Sequence, residues 1–276
     1  MKRQMLRKAL RNVYFMLGSF MILLLLIMMV WGMIGTPHPP NYISFGNSSL
    51  PPSTTHFFGT DTLGRDVFSR VLVGSRSAFG TGVISTAISL VIGALLGLVS
   101  GFAGRRIDIV LTRMTDVMRS IPSILFAMMI VAILGSSFTN IIIALCFISI
   151  PNFYRIVRAS VMQVKNREYV IWTKLVGIGW WRTILLHILP NIRAPLIVMS
   201  TLNIARAVIT ESSLSYLGIG IQPPHPSWGH MLSDAQVNIL HAPWEAISVG
   251  VCLSILVLGF NLLGDGLRDL LDVRSV

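Results

Sequence analysis

Long apolar runs decide most of what this chain can become. A helix needs about 20 apolar residues to cross a hydrocarbon core about 30 Å thick. Such runs extend from Val13 to Ile34, Ala78 to Ala103, Ile121 to Leu134, Asn140 to Val164, Ala194 to Tyr216 and Ala246 to Leu263. The third is short, and it extends backwards through the amphipathic stretch Ile107 to Ser120. An all-α integral membrane protein with six transmembrane helices is therefore expected. The basic start resembles a signal peptide, but the run from Val13 exceeds a cleaved h-region and no small-residue cleavage site follows closely, so it counts as the first span.

Composition agrees. Of 276 residues, 53% are hydrophobic and 12% charged, where about a quarter carry charge in a soluble domain. The net charge of +11 is not massed on one soluble face, which argues against nucleic acid as a partner and for lipid. Eighteen of the 22 Lys and Arg fall in the N-terminus, Gly104 to Ser120, Arg155 to Arg193 and the C-terminal tail. The positive-inside rule makes those segments cytoplasmic. Residues 1–12 and 265–276 are then cytoplasmic termini and 13–34 the first span. Residues 35–77 form an extracytoplasmic loop and interfacial helix, and 78–264 a core of five spans with a cytoplasmic loop at 165–193.

Chemistry-bearing motifs are scarce. No G-x-x-x-x-G-K-[ST] phosphate loop occurs, so the chain has no ATP site of that kind and must borrow its energy. H-E-x-x-H, C-x-x-C and G-x-S-x-G are also missing, which weighs against protease, redox enzyme or lipase. Cys146 and Cys252 lie in apolar runs without ligand-spaced partners and read as packing residues. His225 and His230, five apart in a Pro-rich loop, are a weak metal signal and read better as solvated. No cofactor is expected on this chain. In span two, Gly93, Gly97 and Gly101 repeat at the four-residue spacing that lets helix backbones approach closely.

Two places stand out. Arg206 and Glu211 are charges inside span five, where such residues are expensive and by default functional. They are separated by about 140° around a helix and share one face poorly; Glu211 either lines a translocation path or is a structural partner of Arg206 or of a companion subunit. The other place is Arg167 to Asn191, REYVIWTKLVGIGWWRTILLHILPN. With Asn166 as cap, a helix from Arg167 puts Tyr169, Trp172 and Val176 on one face, with Leu175 beside them and Glu168 in water. Gly177 and Gly179 supply the stop, and the chain restarts at Trp180 towards Pro190.

That segment resembles the cytoplasmic "EAA" loop of ABC-importer permeases, EAA-x3-G-x9-I-x-L-P. Gly177, Leu189 and Pro190 match in spacing; Ile171, Trp172 and Thr173 replace the triplet, His187 replaces Ile, and Glu168 lies one turn earlier. FGTDTLGRDVFSRVLVGSR from Phe58 resembles a signature of the dipeptide/oligopeptide/nickel permeases, C-type subunit. In it, a turn at Gly59 to Gly64 leads into a helix on which Arg65, Asp66 and Arg70 pair locally. GRRID from Gly104, RMTDVMRSIPS from Arg113, ITESSLSYLGIGIQPPHPSWGHML from Ile209 and FNLLGDGLRDLLDV from Phe260 are similar to further strings of that family. Arg206 is not part of its pattern. The tail string should form a short helix on the inner surface.

The resemblance implies a type I ABC importer permease fold in the bacterial inner membrane, with a coupling helix in the cytoplasmic loop. It implies a second homologous permease subunit, two ABC ATPase subunits holding ATP and Mg, and an extracytoplasmic substrate-binding protein. Glu168, Tyr169, Trp172, Leu175, Gly177, Leu189 and Pro190 would form the ATPase-coupling loop, and Arg206 and Glu211 the path or gate. Peptides are the expected cargo; nickel, metal chelates, haem or antimicrobial peptides are the alternatives, and a non-ABC channel or secondary transporter is the remote one.

Overall fold

The computed structural model describes residues 8–271; Asp272 and Val273 of the tail string lie outside that range. Every regular element among the described residues is helical. The first long helix, α1 (Val13–Ile34), starts where Asn12 Oδ1 accepts from Phe15 N at 2.9 Å. The same side chain's Nδ2 donates to Asp269 Oδ2 near the far terminus.

Helix α2 (Val67–Ala103) is 37 residues long, about 55 Å. Asp66 caps it, its Oδ2 accepting from Ser69 N at 2.8 Å. The expected interfacial helix is therefore not a separate element but the first turns of this one. No proline or cap interrupts Val67 to Ala103, so hydrogen bonding continues into the span. The turn before it is as expected, with Gly59 and Gly64 both at positive φ.

The third span differs from expectation. α3 (Arg105–Ser120) and α4 (Ser123–Leu134) meet at 89°. The cause is Pro122: its ring disfavours helical geometry at the preceding residue, and Ile121 is extended at φ −94°, ψ 133°. Among the described residues, five helices are each long and apolar enough to cross a membrane, or six if the bent pair counts as one span.

Helix α5 (Phe138–Val164) follows, capped by Ser137, and then the short α6 (Glu168–Leu175). α7 (Trp180–Tyr216) contains one wide turn at Ile184–Ile188, just before Pro190, which has no N–H to continue the regular ladder. After α8 (Trp228–Gln236), α9 (Pro243–Leu271) closes the bundle. The tail string shares α9 without a break, so it is not the separate surface helix expected; Asp265, Arg268 and Asp269 still lie exposed along it.

The most extensive packing is α2 on α5, followed by α9 on α1 and α7. A Cβ added at Gly93 would sit 2.6 Å from Phe153 Cβ, at Gly97 2.8 Å from Tyr154 O, and at Gly101 2.7 Å from Val161 Cγ1. The glycine stripe thus lets these two backbones touch, which is the packing role read from its spacing. One apolar core, with Leu25, Val71, Trp228 and Leu256, joins α1, α2, α8 and α9. A second, with Phe153, Val157, Val170, Ile184 and Ile188, lies at the opposite end of the bundle beneath α6.

Candidate functional sites

The α6 hairpin is built on two buried residues. Val170 is fully buried and Thr173 nearly so; Thr173 Oγ1 donates to Val170 O at 2.7 Å and accepts from Thr183 Oγ1 at 3.2 Å. These contacts hold α6 against α7 while its other face points away. Tyr169, Ile171, Trp172, Leu175 and Val176 are all exposed, Trp172 at 64% and Leu175 at 71%.

The start and stop differ in detail from the sequence reading. The Arg167 carbonyl accepts the first bonds, from Val170 N and Ile171 N, so the helix opens one residue later than an Asn166 cap would set. Glu168 occupies the first turn, where a negative charge suits the helix dipole. Only Gly177 uses positive φ (+77°); Gly179 at φ −56° instead precedes α7 as its cap. Trp180 stacks on Phe102 of α2, 6.0 Å between centroids. Leu189 packs on the core below, and Pro190 stands at the start of the regular part of α7.

Arg206 and Glu211 part company. Glu211 is 1% exposed; its Oε1 accepts from Ser215 Oγ at 2.8 Å and its Oε2 from Ser212 Oγ at 3.4 Å. Ser215 Oγ in turn accepts from Ile221 N, so the carboxylate ties α7 to the loop beyond it. Arg206 is exposed and forms no ion pair with any described residue, Glu211 included. It lines a cavity of about 430 Å³ in the angle between α3 and α4, with Arg119, Ser149, Asn152, Asn203 and Thr210. Glu211 is not among the lining residues.

Polar groups that sequence reasoning missed sit where helices cross. Arg158 of α5 pairs with Asp108 of α3 through one edge of its guanidinium, Nε donating to Oδ1 and Nη2 to Oδ2 at 2.7 Å. Ser100 Oγ also reaches Asp108, at 2.5 Å. The GRRID string contained the acid, but its partner 50 residues on carried no local signal. Asn203 is buried in mid-bundle and donates to Thr86 Oγ1 and Ser149 Oγ.

At the end of the bundle away from α6, Asp61 accepts from Arg65 Nε at 2.5 Å and lies 3.7 Å from Arg70 Nε. Arg65 reaches on to Asp234 of α8 at 3.2 Å. The local pairing expected of Arg65 and Arg70 therefore centres on Asp61, while Asp66 turns to His56 Nδ1 at 2.8 Å. His38, His56 and Asp66 are the described residues close enough together to hold a metal ion. Their nitrogens and oxygens are engaged in clamping the loop, with His38 Nε2 on Thr55 O and Asp66 Oδ2 on Ser69 N. His230, one of the pair noted in the sequence, lies 3.4 Å from Asp234, one turn along the same helix.

The bundle is similar to a solved structure titled as inward-facing conformations of the MetNI methionine ABC transporter. The TM-score is 0.58 at 18% identity, covering 74% of this chain and 95% of that one. This likeness supports the type I permease fold. Among relatives, a dipeptide transport system permease protein of Alkalihalophilus pseudofirmus is 44% identical over 81% of this chain and 73% of its own length. A glutathione transport system permease protein of Pectobacterium atrosepticum is 37% identical over 99% and 91%. An oligopeptide transport system permease protein of Bacillus subtilis is 37% identical over 94% and 85%. Residues 93–275, from the glycine stripe to the tail, match the model of one family, and with these relatives they show that the chain belongs to the inner membrane components of binding-protein-dependent transport systems.

Proposed function

We propose that this chain is one of two related permease subunits of an ATP-driven importer that carries di- and oligopeptides delivered by an extracytoplasmic binding protein. Two ATPase subunits supply the energy, and ATP and Mg are held there. Both termini and α6 face the cytoplasm, as the distribution of Lys and Arg favours.

The observation that carries this reading is the α6 hairpin. A helix fixed at Val170 and Thr173 yet presenting Tyr169, Trp172, Leu175 and Val176 outward has a rigid base and an apolar face to bury in a partner. Burying each large apolar side chain is worth about 1.5–3 kcal/mol. Closure of the ATPase pair moves the docked helix, and the spans rock between outward-open and inward-open states. The peptide cargo is supported by the relatives' substrates, which are peptides in each case named above.

A single exposed cysteine tests the assignment, because Cys146 and Cys252 are both buried. Trp172→Cys should react with an impermeant thiol reagent in inverted vesicles and not in intact cells. It should also cross-link to a P-loop subunit in the purified complex. Labelling from outside the cell, or peptide uptake by this chain without an ATPase, overturns the reading.

A further inference from the structure

The cavity beside Arg206 has a one-sided charge. Arg119 and Arg206 line it, and none of its lining residues is acidic. Arg206 projects from α7 ten residues before its C-terminal end and is exposed there, without a carboxylate partner among the described residues. A cation held at membrane depth is costly unless it faces water or an anion. The surrounding groups suit a polar guest: Asn152, Asn203, Ser149 and Thr210 offer amides and hydroxyls, while Leu145, Ile148 and Phe126 form an apolar wall. A volume of about 430 Å³ falls within the range of small-molecule sites.

We infer that Arg206 is the anchor for the C-terminal carboxylate of the peptide in transit. This rests on the peptide-importer reading and adds to it which end of the cargo this subunit grips. The guanidinium presents a planar fork of N–H donors that matches a carboxylate in bidentate fashion. Asn203 is pinned by Thr86 Oγ1 at 2.9 Å and Ser149 Oγ at 3.2 Å, so the wall next to Arg206 is preorganised. The absence of an acidic lining residue leaves the peptide's ammonium group without a partner in this half of the path. The subunit therefore selects for a free carboxyl end and is indifferent to the amino end.

The test uses the complete importer, with its binding protein, in proteoliposomes. Uptake of alanylalanine is compared with uptake of alanylalanine amide, and the acid-to-amide ratio of each variant is divided by that of wild type, which cancels the binding protein's own preference. Arg206→Gln should lower this ratio about tenfold or more, the size expected for losing a charged hydrogen-bonded pair. Arg206→Lys should keep most of the ratio. Thr210→Asp, one turn along the same helix, supplies an internal carboxylate and should reproduce the fall without removing Arg206. An unchanged ratio in Arg206→Gln or Thr210→Asp overturns the carboxylate anchor and leaves the peptide importer standing. If wild type takes up neither peptide, the cargo assignment itself fails, and the anchor with it.

Discussion

Arg158 and Asp108 join α5 to α3 by a two-pronged contact, Nη2 to Oδ2 at 2.7 Å and Nε to Oδ1. Both side chains are largely shielded from solvent, and Ser100 and the Tyr154 and Thr112 hydroxyls extend the contact into a chain of hydrogen bonds. The amphipathic α3 has few other polar anchors to the bundle, so this pair sets its position.

Asp108→Asn and Arg158→Gln should each destabilise the purified complex by about 1–3 kcal/mol, the cost of leaving a charged hydrogen-bonding partner unmatched. The double variant should lose less than the sum of the two. Thermal melts in detergent, arranged as a double-mutant cycle, measure the coupling; strict additivity would show that the pair contributes nothing.

Two glycines should respond oppositely to alanine. At Gly97 the new methyl would lie 2.8 Å from Tyr154 O and from Val157 Cβ, so α2 and α5 must separate, at about 1–3 kcal/mol. At Gly250, inside α9, nothing lies within 4 Å of the added carbon. There alanine should stabilise by up to about 1 kcal/mol through helix propensity. The same melts decide, and a destabilised Gly250→Ala would count against the packing described for α9.

Trp172→Asp should leave folding and membrane insertion intact, since the side chain is 64% exposed, and reduce stimulated ATP hydrolysis and peptide uptake more than tenfold. Gly177→Arg should do the same for a different reason. There is open space at Gly177, but its φ of +77° costs any L-residue about 1 kcal/mol or more, so the hairpin re-forms with a displaced α6. ATPase assays with loaded binding protein read both effects, and normal transport by both variants would refute the docking role.

Ser215→Ala removes the hydroxyl shared between Glu211 Oε1 and Ile221 N. A buried carboxylate and a buried N–H each lose a partner, which should cost about 1–3 kcal/mol. Protease cleavage between Leu217 and Ser227 should accelerate, while Arg206-dependent selectivity should stay as in wild type.

The membrane spans were legible because their signal is local: twenty apolar residues in a row need no knowledge of neighbours. The right angle after Ser120 was also written locally, in the Ile121–Pro122 step, but joining the amphipathic stretch Ile107 to Ser120 to the short apolar run after it concealed the break. The long α2 was misdivided because charge changes along Val67 to Ala78 while backbone hydrogen bonding does not. Arg206 and Glu211 were visible as misplaced charges, yet nothing local separated a residue facing a cavity from one bonded to its own helix. The cavity itself draws on α3, α4, α5 and α7, and such convergence cannot be read from spacing along one chain.

The unbroken run of α2 has a mechanical corollary. Its Asp66 end touches the His56 loop and its Gly101 end touches α5 beneath the α6 hairpin, so one stiff mast, about 55 Å long, exceeds the thickness of a hydrocarbon core of about 30 Å. If such a mast pivots at its waist by about 10°, each tip swings by about 5 Å in opposite directions. Movement at one surface is thereby delivered to the other by leverage alone, without any relay of side chains between them.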